Sequence, residues 1–259
     1  MNDKSIALIG YTGFVGGNLD RQLEISHRYN SKNIAAIRGK EFDLVICAGV
    51  SATKWLANRD PVNDKKHIKN LLQALDTISC KKLILISTID VYPEPYLVDE
   101  DTPIDLNSCH PYGKHRLQLE RSISRKFDTH IIRLPALFGE GLKKNVVYDF
   151  LNDNNIDRID PDGLFQFYCL DHLGNDISVV LEHNIRTLNI CSEPLSADEV
   201  SIVCRGRACK KLKSATAPAS YDVRSLYAGK FGGVNGYMHS KQEVLGELCQ
   251  FVENYVASI

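Results

Sequence analysis

Near the N-terminus, Gly10-Tyr11-Thr12-Gly13-Phe14-Val15-Gly16 places glycine at every third position. Glycine at that spacing suits a phosphate-binding turn. The chain must turn sharply, its backbone must approach a pyrophosphate closely, and the next helix must pack tightly on the preceding strand. The N–H groups that open such a helix, with the positive end of its dipole, then face the phosphates. The triplet follows the apolar run 5–9 and precedes a helical pattern over about 14–25. That is the context a dinucleotide turn requires, so Gly10, Thr12, Gly13, Phe14, Val15 and Gly16 are the candidate contacts.

The residue that reads the adenosine ribose is expected just after the second strand, where Asp or Glu favours an unphosphorylated ribose. Here the chain carries Arg28, Tyr29, Asn30 and Ser31 instead. Arg28 and Ser31, with Asn30 between them, suit a 2′-phosphate. The expected cofactor is NAD or NADP, with a lean toward NADP. The competing reading makes Arg28 a solvated surface charge.

These residues need a frame that alternates strands and helices. Short apolar runs at 5–9, 43–48, 82–87 and 129–134 read as strands buried on both faces, and 27–30 as a short second strand. Helices are expected at 14–25, within 55–77 and at 111–127. Ile68, Leu71, Leu72 and Leu75 give the second its helical spacing, and Ser31 is a plausible N-cap for a further helix to about 40. This alternation predicts a doubly wound parallel α/β sheet of the Rossmann type. Beyond Gly139 the pattern loosens. Residues 166–170 and 186–191 read as strands, Ser196/Glu199 and Ser240/Glu243 have the capping-box form, and 215–236 reads as loop. The expected division is a dinucleotide-binding domain at 1–139 plus parts of 165–192, with a small C-terminal substrate lobe at 140–164 and 193–259.

Composition narrows the partners. The 259 residues carry a formal net charge of −1 and are 44% hydrophobic and 24% charged. No global field draws the chain to nucleic acid or to an anionic membrane, and no apolar run approaches the roughly 18 residues of a membrane helix. No leader-like segment precedes the first strand, so the cytoplasm is the expected compartment. The eight cysteines are scattered without a C-x-x-C pair. They read as reduced thiols, mostly buried, and no metal site is expected.

Three more segments carry chemistry: Ser87-Thr88-Ile89-Asp90-Val91-Tyr92, then Pro111-Tyr112-Gly113-Lys114-His115-Arg116 with Glu120, and Arg133-Leu134-Pro135-Ala136-Leu137-Phe138-Gly139. With the glycine turn they resemble the extended short-chain dehydrogenase/reductase family, the NAD-dependent epimerase/dehydratase type, in order and spacing over about residues 5–190. The resemblance implies an enzyme acting on a nucleotide sugar. It carries the family's Ser/Thr role to Thr88 and its tyrosine role to Tyr112. Ala48, Gly49 and Pro135 complete the cofactor set. A phenol with a pKa near 10 is a poor base at neutral pH. A fixed positive charge nearby lowers that value, and a hydroxyl donor polarises the substrate C–O group.

The chain departs from the family at the lysine four residues after the tyrosine. Position 116 is Arg, which lies on the same helix face as Tyr112 and keeps the charge but does not deprotonate. Charge stabilisation survives; a lysine-type proton relay does not. A second departure puts Ile89 and Asp90 where the dehydratases carry an Asp-Glu pair, so epimerase or reductase chemistry is expected rather than dehydration. Asp90 reads equally as a turn residue. On the substrate side the resemblance makes Asn145 a candidate for a diphosphate, beside Lys143 and Lys144, with Arg205 and Arg207 as further phosphate contacts. Solvated surface charges are the alternative. A homodimer is expected by resemblance. A non-catalytic NAD(P)-binding sensor or scaffold, or a reductase of a non-sugar carbonyl compound, stays open beside the enzyme reading.

Overall fold

The computed structural model of the chain describes residues 4–209 and 218–257. Its elements run β1 (Ile6–Ile9), α1 (Phe14–Gln22), β2 (His27–Tyr29), β3 (Glu41–Cys47), α2 (Lys54–Arg59), α3 (Pro61–Leu75), β4 (Ser79–Thr88), β5 (Tyr96–Val98), α4 (Pro111–Ser124) and β6 (Thr129–Leu134). There follow β7 (Ala136–Phe138), α5 (Val146–Leu151), β8 (Leu164–Phe165), β9 (Phe167–Cys169), α6 (Leu173–Glu182), β10 (Thr187–Asn189), β11 (Leu195–Ser196), α7 (Ala197–Arg205), β12 (Asp222–Val223) and α8 (Lys241–Ala257). The chain divides into two compact units. The first holds residues up to 93, 103–133 and 173–188; the second holds 94–102, 134–172 and the chain from 189 onward.

The first unit is built on a six-stranded parallel sheet in the order β2-β1-β3-β4-β6-β10. Its apolar runs are buried as a doubly covered sheet requires: β6 is buried along its whole length, and Ile9, Val45, Leu83 and Leu85 lie in the core. The strand order changes direction at β1, which sits between β2 and β3. In open sheets of this kind ligands bind outside the carboxyl ends of the strands at that switch point. Gly10 and Ala48 follow β1 and β3 there, joined by the Ala48 N–H to the Ile9 carbonyl at 2.9 Å.

Two helices differ from the expectation. The single helix within 55–77 is two, because Pro61 has no N–H to continue α2 and instead opens α3, with Asp60 Oδ1 accepting the Asn63 N–H at 3.1 Å. After Ser31 no α-helix forms, only a 3₁₀ turn at Ile34–Ile37. Asn33 accepts the Asn30 N–H at 2.6 Å and donates to the Arg28 carbonyl at 3.0 Å, so side chains take the backbone groups a helix would use.

In the second unit β7 pairs with β9 and β12 with β5, both parallel, while β11 and β8 are antiparallel. Both capping boxes form. Ser196 caps α7 reciprocally with Glu199, and Ser240 exchanges the same bonds with Glu243 before α8. Of the expected loop at 215–236, residues 215–217 lie outside the described residues, and the rest holds β12 and one 3₁₀ turn. Among the described residues no helix is long and apolar enough to cross a membrane. All eight cysteines are free thiols; four are buried, three partly so, and Cys249 is exposed. Burial pushes the Cys47 thiol up to about 11.

Candidate active site

The glycine turn is fixed by its own backbone. Gly10 donates to the Tyr29 carbonyl at 2.7 Å and accepts from the Gly13 N–H at 2.9 Å. Gly10 has φ +92°, and a Cβ there would lie 2.4 Å from the Ala48 carbonyl oxygen. A Cβ on Gly16 would lie 2.1 Å from the Gly10 carbonyl oxygen. No side chain fits at either position, so α1 approaches the turn as closely as a backbone can. Helix α1 opens at Phe14 with Gly13 as N-cap and no side-chain cap bond. Its first N–H groups therefore point out of the turn with the dipole's positive end behind them. Thr12, Gly13 and Gly49 are exposed, and Phe14, Val15 and Ala48 partly so.

At the end of β2 the side chains are engaged with their own unit. The Arg28 guanidinium binds Asp20 at 2.7 Å and the Ile25 carbonyl at 2.9 Å. Asn30 Oδ1 accepts the Lys32 N–H at 2.9 Å, and Ser31 is exposed.

The tyrosine turn is held by side chains. At the end of β4, Thr88 Oγ1 accepts the Asp90 N–H at 3.1 Å, and the Thr88 hydroxyl meets the Tyr112 phenol. His110 caps α4, its Nδ1 accepting the Gly113 N–H at 3.1 Å, and Pro111 starts the helix. Asn58 on α2 accepts the Tyr112 N–H at 2.9 Å. Burial pushes the phenol above its ordinary value. The Arg116 charge and the Thr88 hydrogen bond oppose that, and Asp90 adds to it.

Arg116 is 3% exposed and lies over the Tyr112 ring, its guanidinium carbon 3.9 Å from the ring centroid. Its two terminal nitrogens grip Asp64 at 2.5 and 2.9 Å, and one also meets the Ser51 carbonyl at 2.6 Å. Asp64 takes a further bond from His115 at 2.7 Å. Burial pushes the Asp64 carboxyl up, but the bonds and charges of Arg116 and His115 outweigh it and hold the group below its usual range. Asp64 is the partner the sequence reading missed. Its signal was there: it shares the face of Ile68, Leu71 and Leu75, and a carboxylate on an apolar face needs a buried cation.

A second buried arginine anchors the same turn. Arg133 on β6 pairs with Glu120 on α4 at 2.7 Å and donates to the Tyr92 hydroxyl at 2.8 Å, while Ser87 on β4 donates to Glu120 at 2.5 Å. The end of β4, helix α4 and β6 are thereby tied at one carboxylate. Lys54 on α2 binds Asp90 at 2.7 Å.

The remaining candidates lie in the second unit. Pro135 joins β6 to β7. Asn145 has φ +114° and N-caps α5, accepting the Tyr148 N–H at 3.2 Å and donating to the Leu137 carbonyl at 2.6 Å. Lys143 and Lys144 are exposed. Arg205 binds Asp153 at 3.1 Å and sits over the Phe150 ring, and Arg207 is exposed. Both Asn145 amide atoms thus serve the local turn.

Comparison by sequence finds no matching family model and no matching curated protein. Comparison by structure finds many. RMD from Pseudomonas aeruginosa, complexed with NADPH, superposes with a TM-score of 0.75 at 18% identity over 99% of this chain and 100% of that one. A dTDP-4-dehydrorhamnose reductase from Clostridium acetobutylicum gives 0.73 at 17% identity over 97% and 99%. A UDP-N-acetylglucosamine 4-epimerase from Methanobrevibacter ruminantium, in complex with UDP-N-acetylmuramic acid, gives 0.72 at 12% identity over the full length of both. The fold of this chain is the Rossmann fold that these reductase and epimerase structures share.

Proposed function

We propose that the chain is an NAD(P)-dependent enzyme of the extended short-chain dehydrogenase/reductase family that reduces a keto group on a nucleotide sugar, with Tyr112 giving the proton. The observation that carries this reading is the buried phenol of Tyr112 set against Thr88 at the end of β4, in the unit that holds the glycine turn. The turn fits a dinucleotide. The spaces where Cβ atoms of residues 10 and 16 would stand are taken by backbone, and the start of α1 has no side-chain cap. Gly10, Thr12, Gly13, Phe14, Val15 and Gly16 would hold the pyrophosphate, with Ala48 and Gly49 beside them. A nicotinamide dinucleotide, when bound, supplies the hydride for a sugar carbon.

The chain's own residues do the rest. Thr88 presents a hydroxyl to the substrate oxygen, and Tyr112 donates its proton to that oxygen as charge develops there. Burial keeps the phenol above its ordinary value, so it stands protonated as a proton donor. Arg116 stacks on the ring and fixes it, with its charge matched by Asp64. The nucleotide-sugar substrate is inferred from the neighbours on this fold, one of them a reductase and one an epimerase bound to a UDP-sugar. Epimerisation is the second reading, because the same phenol can take the proton back. The lean toward NADP rests on Arg28 and Ser31, and Arg28 would have to exchange Asp20 for the phosphate.

Thermal unfolding with NAD, NADP and a panel of nucleotide sugars tests the binding half. A stability shift from dinucleotide and one nucleotide sugar together supports the enzyme; a shift from dinucleotide alone favours a sensor or a non-sugar reductase. Tyr112→Phe tests the chemistry. It should keep the dinucleotide-induced shift and lose hydride transfer by about 10²–10⁴-fold. Unchanged turnover would remove the role.

A further inference from the structure

Arg116 and Lys54 approach Tyr112 from different elements. Arg116 comes from α4 itself and meets the flat face of the ring. Both of its terminal nitrogens are committed to Asp64 and the Ser51 carbonyl, inside the protein. A guanidinium held in this way stays charged at every working pH and neither gives nor takes a proton.

Lys54 comes from α2. That helix is docked on the tyrosine turn by Asn58, which accepts the Tyr112 N–H at 2.9 Å. Lys54 stands four residues before Asn58, so both lie on the helix face turned to α4 and the end of β4. There its ammonium binds the Asp90 carboxylate at 2.7 Å. Asp90 is the residue whose N–H holds the Thr88 hydroxyl, and that hydroxyl meets the phenol. The Lys54 side chain is 39% exposed, against 3% for Arg116, so the pair is open to water.

We propose that Lys54 is a positioning residue for proton transfer at Tyr112: with Asp90 it forms the water-accessible ion pair beside the phenol that the buried Arg116–Asp64 clamp does not provide. This rests on the reading of Tyr112 as the proton donor. Lys54 holds the Asp90 carboxylate in a neutral pair. When the Tyr112 O–H bond breaks and its proton forms a bond to the substrate oxygen, the ammonium is the solvent-exposed cation near the phenolate. The phenol recovers its proton from solvent water after product leaves. Among the described residues, the other charged or titratable groups around Tyr112 include Arg116 on its own helix, balanced by Asp64 from α3 with His115 on the same carboxylate, and His110, whose ring stacks on Tyr112 at 6.2 Å between centroids. Burial holds His110 below its usual range, so it is neutral at pH 7.

The experiment is an ultraviolet titration of the tyrosinate band in the full chain. Tyr112→Phe serves as the difference reference, because the chain has 11 tyrosines. Lys54→Met uncovers Asp90 and should raise the Tyr112 midpoint by about one unit or more. Asp90→Asn removes the carboxylate charge while keeping the ammonium and should lower it by a similar amount. The double variant Lys54→Met/Asp90→Asn should return close to the starting value, and Lys54→Arg should keep the midpoint but lower the turnover rate. Shifts of opposite sign that cancel in the double variant support the proposal. A midpoint unmoved by Lys54→Met, or shifts of the same sign in both single variants, overturns it. The titration needs no turnover, so it succeeds or fails separately from the role of Tyr112 in hydride transfer.

Discussion

The glycine turn and the tyrosine turn are two parts of one unit, and they are built in opposite ways. The first is made of backbone. Carbonyls and N–H groups of Gly10, Gly13, Tyr29, Ile9 and Ala48 set its shape, and the side chains that matter are the ones missing at positions 10 and 16. The second is made of side chains drawn from far along the sequence. Asp64 meets Arg116, Asn58 meets Tyr112, Glu120 meets Ser87 and Arg133, and Lys54 meets Asp90. A backbone device tolerates change everywhere except at the atoms in close approach. A side-chain device tolerates backbone adjustment but fails when one partner of a buried pair is removed.

The largest expected effect breaks the first region. Gly16→Ala forces a Cβ into the Gly10 carbonyl and should abolish the dinucleotide-induced rise in unfolding temperature, a loss of at least about 100-fold in affinity on the general cost of lost phosphate contacts. Gly17→Ala is the matched control. A Cβ there meets its nearest neighbour at 3.5 Å, so binding should persist, and the helix should gain up to about 1 kcal/mol. Loss of binding in both variants would mean that helix composition, rather than close approach, sets the turn.

The next effect breaks the second region. Asp64→Ala leaves Arg116 buried without its carboxylate and should cost about 3–5 kcal/mol in denaturant unfolding. The pH dependence sharpens the point. The folded Asp64 carboxyl sits below its ordinary value. Its contribution is therefore complete above the unfolded value of about 4 and is lost as pH falls through the folded one. Below about pH 4 the wild-type chain should lose stability more steeply than Asp64→Ala. Parallel slopes would separate Asp64 from the stability of the tyrosine turn.

The smallest effect lies at the border of the first region. Arg28→Ala should weaken NADP binding several-fold, by about 1 kcal/mol, the scale of one half-exposed charge contact, and leave NAD nearly unchanged. Equal losses for the two cofactors would assign Arg28 to its Asp20 pair alone.

What could be read in the sequence follows this contrast. The glycine spacing, the buried strands and the two capping boxes of α7 and α8 are local patterns, each set by residues within a few positions of one another. They specify the turn, the alternation of elements and the parallel sheet. The helix pattern after Ser31 misled because Asn30 and Asn33 turn their amides on the backbone. The break at Pro61 was readable from proline alone. At the tyrosine turn, motif resemblance singled out Thr88, Tyr112 and Arg116, but not Asp64, Asn58 or Lys54, which lie 48 to 62 positions before residues 112 and 116 and carry no short-range signature.

The sequence by itself thus determined the glycine turn, because the closest approach in it is local: a Cβ on Gly16 would strike the Gly10 carbonyl six positions before it. Only the tertiary structure decided the chemistry around Tyr112. Whether a helix-borne arginine is a free cation or a matched clamp depends on which carboxylate the fold brings to it, and α3 brings Asp64. The same holds for the lysine on α2, which becomes a neighbour of the phenol only because Asn58 docks its helix onto the start of α4.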